Sequence, residues 1–291
     1  RCSAWADYTA RMHSTLTHAI RIHRFGGADV LQWEEIPLPP PAAGEVTIRQ
    51  TAIGLNFIDT YHRSGLYPLT LPAVIGTEAA GVVEALGPDV TGFAVGDRVA
   101  YTGLPPGAYA AHRNWPVDRL VKLTAGITDE VAASVMLKGL TAWYLLRRSY
   151  RVQAGDTLLL YAAAGGTGTL LSQWAAALGA RVIGVAGSAA KAAIAREHGC
   201  AETVLSTDPD FVKKVREFSG GGVAVVYDSV GRDTFFQSLD CLRRHGTMVS
   251  FGNTSGPVEP FSPMELAKRG ALHLTRPSRF DFIATRADLE A

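Results

Sequence analysis

Ala162, Gly165 and Gly168 stand at three-residue intervals between two apolar segments. Before them runs Thr157-Leu158-Leu159-Leu160-Tyr161, which reads as a buried strand. After them comes Thr169 to Leu178, whose apolar positions suit an amphipathic helix. The chemistry open to such a turn is the binding of an anion. Gly165 and Gly166 are expected to take positive φ and tighten the turn. Gly168 has no side chain, so strand and helix can close on each other and a pyrophosphate can approach the backbone. The unpaired N–H groups of the helix start then face that anion. Alanine at 162 stands where the best-known fingerprint has its first glycine. Strand, glycine turn and helix in that order make a dinucleotide site, with Ala164, Gly165, Gly166, Thr167 and Gly168 facing the cofactor.

The second strand of this unit is predicted to end at Val185-Ala186-Gly187-Ser188. A site selective for NAD would carry Asp or Glu here, accepting from the ribose 2′-hydroxyl. The chain has small residues instead, followed by Lys191 at a helix start. Gly187, Ser188 and Lys191 therefore suit a 2′-phosphate and predict NADPH (NADP+) as the cofactor. One charge-assisted bond of this kind contributes roughly 1.5–3 kcal/mol.

The elements that must position these residues are legible along the chain. Ala19 to Val99 is β-rich: Ala19–His23, Val30–Ile36 and Glu45–Ile53 read as strands, and Pro37 to Pro41 as a stiff connection. Asn56 to Gly65 with Tyr67 is a polar insertion in an apolar region. Val74–Val83 is small and apolar, and Gly107–His112 reads as a further short strand. A helix is predicted from Thr128 through Leu146. Strands and helices then alternate: strands at 181–186, 202–205, 223–227 and 247–251, helices at 189–198, 211–218 and 234–242. That alternation predicts a parallel sheet covered on both faces. Asp228-Ser229-Val230-Gly231 and Phe251-Gly252 follow strands, at the ends where ligands sit in such sheets.

Composition sets the outer limits. The chain has 291 residues, enough for two domains, with 47% hydrophobic and 19% charged residues, so it is globular. A net charge of +1 gives no electrostatic case for nucleic acid or a membrane surface. No apolar run approaches the ~18 residues of a membrane span. Cys2, Cys200 and Cys241 are scattered and form no CxxC pair, which fits a reducing, cytoplasmic setting. Residues 1–18 read as a disordered N-terminal extension, with Met12 as the native start.

Several motifs then occur in one order. Gly155-Asp156, Leu159, Ala163-Ala164-Gly165-Gly166, Gly168 and Gln173 resemble the signature of the quinone oxidoreductases, the zeta-crystallin branch of the medium-chain dehydrogenase/reductase superfamily. Asn56-Phe57-Ile58-Asp59-Thr60-Tyr61, Gly76-Thr77-Glu78-Ala79-Ala80-Gly81, Lys138-Gly139-Leu140-Thr141, Asp228-Ser229-Val230-Gly231 and Phe251-Gly252-Asn253 are similar to the same family. The resemblance implies an α/β fold, with a β-rich GroES-like catalytic domain at 19–137 and a Rossmann domain, a doubly wound parallel sheet, at 138–272. Residues 273–291 would return towards the catalytic domain, and a further segment would bring an arginine to the cofactor phosphate. Two positions depart from the pattern: Ala176 replaces a basic residue, and Ser206 a tyrosine beside the adenosine.

The resemblance also implies a reaction: NADPH-dependent reduction of a small-molecule quinone by hydride or electron transfer, in the cleft between the domains and without metal. Asn56 and Asp59 would orient the nicotinamide end, and Tyr61 and Tyr67 would offer flat faces and hydroxyls to the acceptor. Lys138, Thr141, Ser229, Val230, Phe251 and Gly252 would complete the cofactor site. Family members with a catalytic zinc hold it with Cys and His, whereas this chain has Asn56–Asp59 and Gly76–Glu78 at those stretches. The acceptor makes the omission chemically reasonable. An alkoxide is nearly as basic as hydroxide, while a hydroquinone oxyanion has an acid of pKa about 10; that gap of about five units is roughly 7 kcal/mol. Two alternatives stay open: an NADPH-dependent enone or alkenal reductase, and a non-catalytic crystallin-like or RNA-binding protein. A homodimer is the expected assembly.

Overall fold

The computed structural model describes residues 15–290. They form two units. One holds the described residues up to Leu137 together with those from Ile283 on, and the other is Lys138–Phe282.

The first unit opens with β1 (Thr15–Ile22), β2 (Gln32–Leu38), β3 (Glu45–Ile53), helix α1 (Phe57–Ser64) and β4 (Ala73–Val74). It continues with β5 (Glu78–Leu86), β6 (Arg98–Thr102), β7 (His112–Pro116) and β8 (Val121–Lys122), then enters helix α2 (Asp129–Tyr144). Its sheets are antiparallel, in the orders β2-β1-β4 and β7-β3-β5-β6-β8. Val46, Ile48, Val83, Val99 and Leu120 belong to one buried core cluster on the five-stranded sheet. Tyr101 and Trp115 stack at 4.4 Å in the same core, and the Arg113 guanidinium lies 4.2 Å from the Trp115 ring centre.

Two sequence expectations are corrected here. The first strand begins at Thr15, so residues 15–18 belong to the fold: Thr15 pairs with Leu38 and His18 with Glu35. Gly107–His112 is not a strand. Gly107 sits at φ +143° after two prolines, and the Gln50 side chain takes the carbonyls of Ala108 and Ala110 at 3.0 and 2.5 Å. The stretch meets β1 through one isolated antiparallel bridge, Ala19↔Ala110, and its continuous ladder with β3 begins at His112.

The second unit carries β9 (Thr157–Leu160), α3 (Gly166–Ala177), β10 (Arg181–Ala186), α4 (Ala189–Glu197), β11 (Cys200–Leu205) and α5 (Phe211–Ser219). Then follow β12 (Val223–Asp228), α6 (Phe235–Asp240), β13 (Leu242–Ser250), α7 (Met264–Lys268), β14 (His273–Thr275) and α8 (Arg279–Phe282). All six strands are parallel, in the order β11-β10-β9-β12-β13-β14. Counted within the unit this is 3-2-1-4-5-6, the doubly wound dinucleotide-binding order. Covered on both faces, β12 is buried throughout and is therefore almost wholly apolar.

The boundary expected at 272 moves as well. β14 pairs with β13 from Thr247↔His273 to Val249↔Thr275, so the sheet needs 273–275 and the unit runs to Phe282. Beyond it lies α9 (Arg286–Glu290), whose Arg286 donates to the Leu120 carbonyl of the first unit. Among the described residues no helix is long and apolar enough to cross a membrane.

Candidate functional site

In the second unit the chain leaves β9 through Tyr161 and turns at Ala162, whose φ is +51°. This corrects the expected use of the glycines. Gly165 is the N-cap at φ −82° and Gly166 is the first helical residue; the left-handed position belongs to Ala162. The Gly165 N–H closes the turn on the Ala162 carbonyl at 2.9 Å. Gly168 has a different duty. A Cβ there would stand 2.3 Å from the Ala162 oxygen and 2.8 Å from Ala163 backbone atoms, so its bare Cα lets α3 pack against the turn. Gly165 and Gly166 are exposed, Thr167 and Ala164 half-buried. The helix starts with no acidic residue in its first turn, which leaves its positive end open to an anion. The Lys138 aliphatic chain covers Gly166, since a Cβ on Gly166 would meet its Cδ at 2.8 Å. Thr141 lies one turn along the same helix and is buried.

β10 ends at Ala186, and Gly187, Ser188 and Lys191 follow it as exposed residues. Ser188 caps α4: its hydroxyl accepts the Lys191 N–H at 3.3 Å. No acidic residue occupies the first turn of α4. Ser206 reaches this mouth through its N–H, which donates to the Ala186 carbonyl at 2.9 Å.

β12 and β13 end at the same edge of the sheet. The fully buried Asp228 accepts the N–H groups of Val230 and Gly231 at 2.7 and 3.0 Å and the hydroxyls of Thr234 and Ser238 at 2.7 and 2.8 Å. It shapes the loop bearing Ser229 and Val230, both half-buried. Phe251 donates its N–H to the Asp228 carbonyl at 2.8 Å. Gly252 lies so close to Ser229 that a Cβ would stand 2.3 Å from its oxygen. The carboxyl edge of one parallel sheet thus gathers the glycine turn, the Gly187–Lys191 mouth and the paired loops of Ser229 and Gly252.

In the first unit, α1 organises the polar insertion. Asn56 and Asp59 are buried. The Asp59 carboxylate accepts the Asn56 N–H at 3.0 Å, the Thr77 hydroxyl at 3.1 Å and the Tyr109 hydroxyl at 2.8 Å. Burial foremost pushes the Asp59 carboxyl above its ordinary range, and these donors pull against it. Asp59 thus closes the capping box of α1 and anchors it to Thr77 and Tyr109. Asn56 donates Nδ2 to Glu78 Oε2 at 2.7 Å. Tyr61 and Tyr67 meet edge to face at 5.1 Å, with Phe57 5.3 Å from Tyr61. Both tyrosines are half-buried and Phe57 is exposed, so an aromatic surface is offered beside Asn56.

The sequence assigns no site role to Glu78, Thr77 or Tyr109. A readable signal existed for Glu78: it is a charge directly preceding the small apolar run Ala79 to Val83. The side chain of His62, on α1, is buried, its Nδ1 meets no hydrogen-bond partner, and desolvation lowers its pKa below the usual 6.5. The folded state therefore favours the neutral ring. Its share of stability is present above about pH 6.5 and is lost as pH falls below that value, because the unfolded chain binds the proton first. Melting His62→Phe beside the parent between pH 7.5 and 5 should show a flatter acid limb for the variant; parallel curves would refute this. Among the described residues no group of three or more His, Cys, Asp or Glu could hold a metal ion.

Comparison with known proteins places both units. Residues 42–126 match the alcohol dehydrogenase GroES-like domain, and residues 166–280 match the family described as zinc-binding dehydrogenase. The chain is 47% identical over 274 residues to a quinone oxidoreductase of Pseudomonas aeruginosa, covering 94% of this chain and 84% of the relative. It is 46% identical over 278 residues to a 2-haloacrylate reductase of a Burkholderia species, covering 92% and 83%. The crystal structure of Escherichia coli quinone oxidoreductase complexed with NADPH superimposes with a TM-score of 0.92 at 46% identity, over 94% of this chain and 84% of that one. Identity of this degree over both units, on a strand order and glycine turn built for a dinucleotide, makes the chain a member of the quinone oxidoreductase family within the medium-chain dehydrogenase/reductase superfamily.

Proposed function

We propose that the chain catalyses NADPH-dependent reduction of a small-molecule quinone without a metal. The observation that carries the cofactor half is Gly168, whose missing Cβ leaves the α3 N-terminus against the strand turn. That cradle fits a pyrophosphate, and the acid-free mouth of Ser188 and Lys191 fits a 2′-phosphate. Bound there, NADPH supplies the hydride. The chain's own residues bind and orient. Gly165 to Gly168 offer backbone N–H groups, Lys191 offers its ammonium, and Ser229, Val230, Phe251 and Gly252 border the nicotinamide end of the sheet edge.

On the acceptor side, Tyr61 and Tyr67 supply faces for a planar ring and hydroxyls for its oxygens, while Asn56 supplies an amide. Asp59, capped into α1, holds these residues in place. Asp59 and Glu78, the carboxylates of the two stretches without Cys or His, accept from protein donors. A quinone, whose reduced oxyanion is only about as basic as a phenolate, is the acceptor such a site suits. The 2-haloacrylate reductase relative supports a second reading, reduction of an activated alkene, for which the same amide and hydroxyls would meet an enolate or carboxylate oxygen.

Fluorescence titration with NADPH and NADH, beside Lys191→Ala, tests the cofactor. The variant should lose about 10- to 100-fold in NADPH affinity, the worth of one charge-assisted bond, with NADH affinity unchanged. Equal losses for both nucleotides would refute the 2′-phosphate assignment. Turnover of a benzoquinone and a 2-haloacrylate side by side then separates the two acceptors. Tyr61→Phe and Tyr67→Phe should raise the quinone KM with the NADPH dissociation constant unmoved; an unmoved KM would remove the hydroxyls from the acceptor site.

A further inference from the structure

Glu78 opens β5 and is wholly buried. Its two carboxylate oxygens serve different elements. Oε2 accepts Asn56 Nδ2 at 2.7 Å, and Oε1 accepts the N–H of Leu137 on α2 at 2.6 Å. Its backbone carbonyl accepts the Gly54 N–H at 2.9 Å. The loop before α1 is shaped around this carboxylate: a Cβ on Gly54 would stand 2.3 Å from Glu78 Oε2 and 2.2 Å from the Ala133 carbonyl. A buried carboxylate is costly unless donors surround it, and here one of those donors is the side chain of a residue assigned to the acceptor site.

We propose that Glu78 is a positioning residue of this enzyme: it binds one side-chain N–H of Asn56 and, with the α1 capping box on the same side chain, fixes the plane in which the amide meets the acceptor. The proposal rests on the reading of Asn56 as a group that meets the acceptor. Oε1, held by the Leu137 N–H, keeps the carboxylate from swinging, so the amide is aimed by the ends of two elements and not by α1 alone. Glutamine at 78 would have the same shape but would turn a donor towards one of two donors. Asn56 could answer only by turning its amide over, which exchanges donor and acceptor at the face it presents.

The test is a double-mutant cycle of Glu78→Gln and Asn56→Ala, with thermal melts confirming folding. Glu78→Gln should lower kcat for the quinone about 10- to 100-fold, the usual effect of a misaimed group. Its NADPH dissociation constant should stay within about twofold, since that site lies in the other unit. In the Asn56→Ala background the same substitution should change kcat by less than about twofold. An equal loss in both backgrounds, or no loss in the parent, would overturn the proposal. Should Glu78→Gln fail to fold, Glu78→Asp carries the cycle, because it keeps the charge while its shorter side chain cannot span both partners. A readout independent of turnover is the side-chain amide NMR signal of Asn56, assigned by its disappearance in Asn56→Ala. It should be protected from hydrogen exchange in the parent and lose that protection in the Glu78 variant; an amide that exchanges freely in the parent would also overturn the proposal. A parent that reduces no quinone yet protects this amide would fault the functional reading and leave the geometry of Glu78 standing.

Discussion

Replacing Gly168 by alanine is expected to reduce NADPH affinity about 10- to 100-fold, the equivalent of the ~1–3 kcal/mol that overpacking costs, and to lower the thermal midpoint as well. The new methyl would stand 2.3 Å from the Ala162 carbonyl oxygen and 2.8 Å from Ala163. These are backbone atoms that no rotamer change can move. Ala163 is also tied to β10, its N–H donating to the Val185 carbonyl at 3.1 Å. The helix must therefore give way, carrying its first N–H groups off the position a pyrophosphate needs. Titration of NADPH fluorescence against the folded variant reads this directly. Unchanged affinity would show that the anion is not held at the start of this helix.

The second large effect is expected at Asp228. Alanine there leaves the N–H groups of Val230 and Gly231 without their acceptor inside the protein. At ~1–3 kcal/mol for each buried donor left unsatisfied, denaturant unfolding should show a loss of about 2–6 kcal/mol. The hydroxyls of Thr234 and Ser238 can rotate towards other acceptors and should add little. Asparagine keeps the shape and one oxygen for the two N–H groups, while both hydroxyls can turn to accept from its amide. Asp228→Asn should therefore lose less than half as much as Asp228→Ala. Equal losses would mean that the charge, and not the hydrogen-bond pattern, holds the loop.

Much of the second unit was legible because its signals are local. Val223 to Tyr227, short, valine-rich and preceded by three glycines, reads as a strand buried on two faces, and the glycine turn lies between a strand and a helix, the context of a dinucleotide site. What could not be read there was which residue bends. Ala162 takes the left-handed conformation while Gly165 and Gly166 do not, because the need for glycine at this turn arises from contact with α3, which becomes visible only after folding. β14 escaped notice for a similar reason. Three residues have no periodicity to detect, and their strand character comes from the open edge of β13.

The first unit was less legible where side chains supply some of the backbone's partners. Gln50 satisfies two carbonyls of a stretch that alternates like a strand. For Asp59 the family resemblance implies a role in orienting the nicotinamide end. The burial of Asp59 beneath Thr77 and Tyr109, which lie 18 and 50 residues further along the chain, also makes it an anchor. Glu78 stands in the sequence as a charge ahead of Ala79 to Val83, but its role appears only when its carboxylate is seen between Asn56 and Leu137.

The nucleotide-binding unit is one unbroken stretch, whereas the first unit is split around it, and Arg286 must find Leu120 from 166 positions away. As the chain leaves the ribosome, the parallel sheet can therefore finish while its neighbour is still waiting for α9. A domain that matures first can bind its nucleotide first, and ligand binding stabilises whatever it binds. Bound NADPH would then stabilise the parallel sheet of the nascent chain before α9 has closed on Val117 and Leu120 of the first unit.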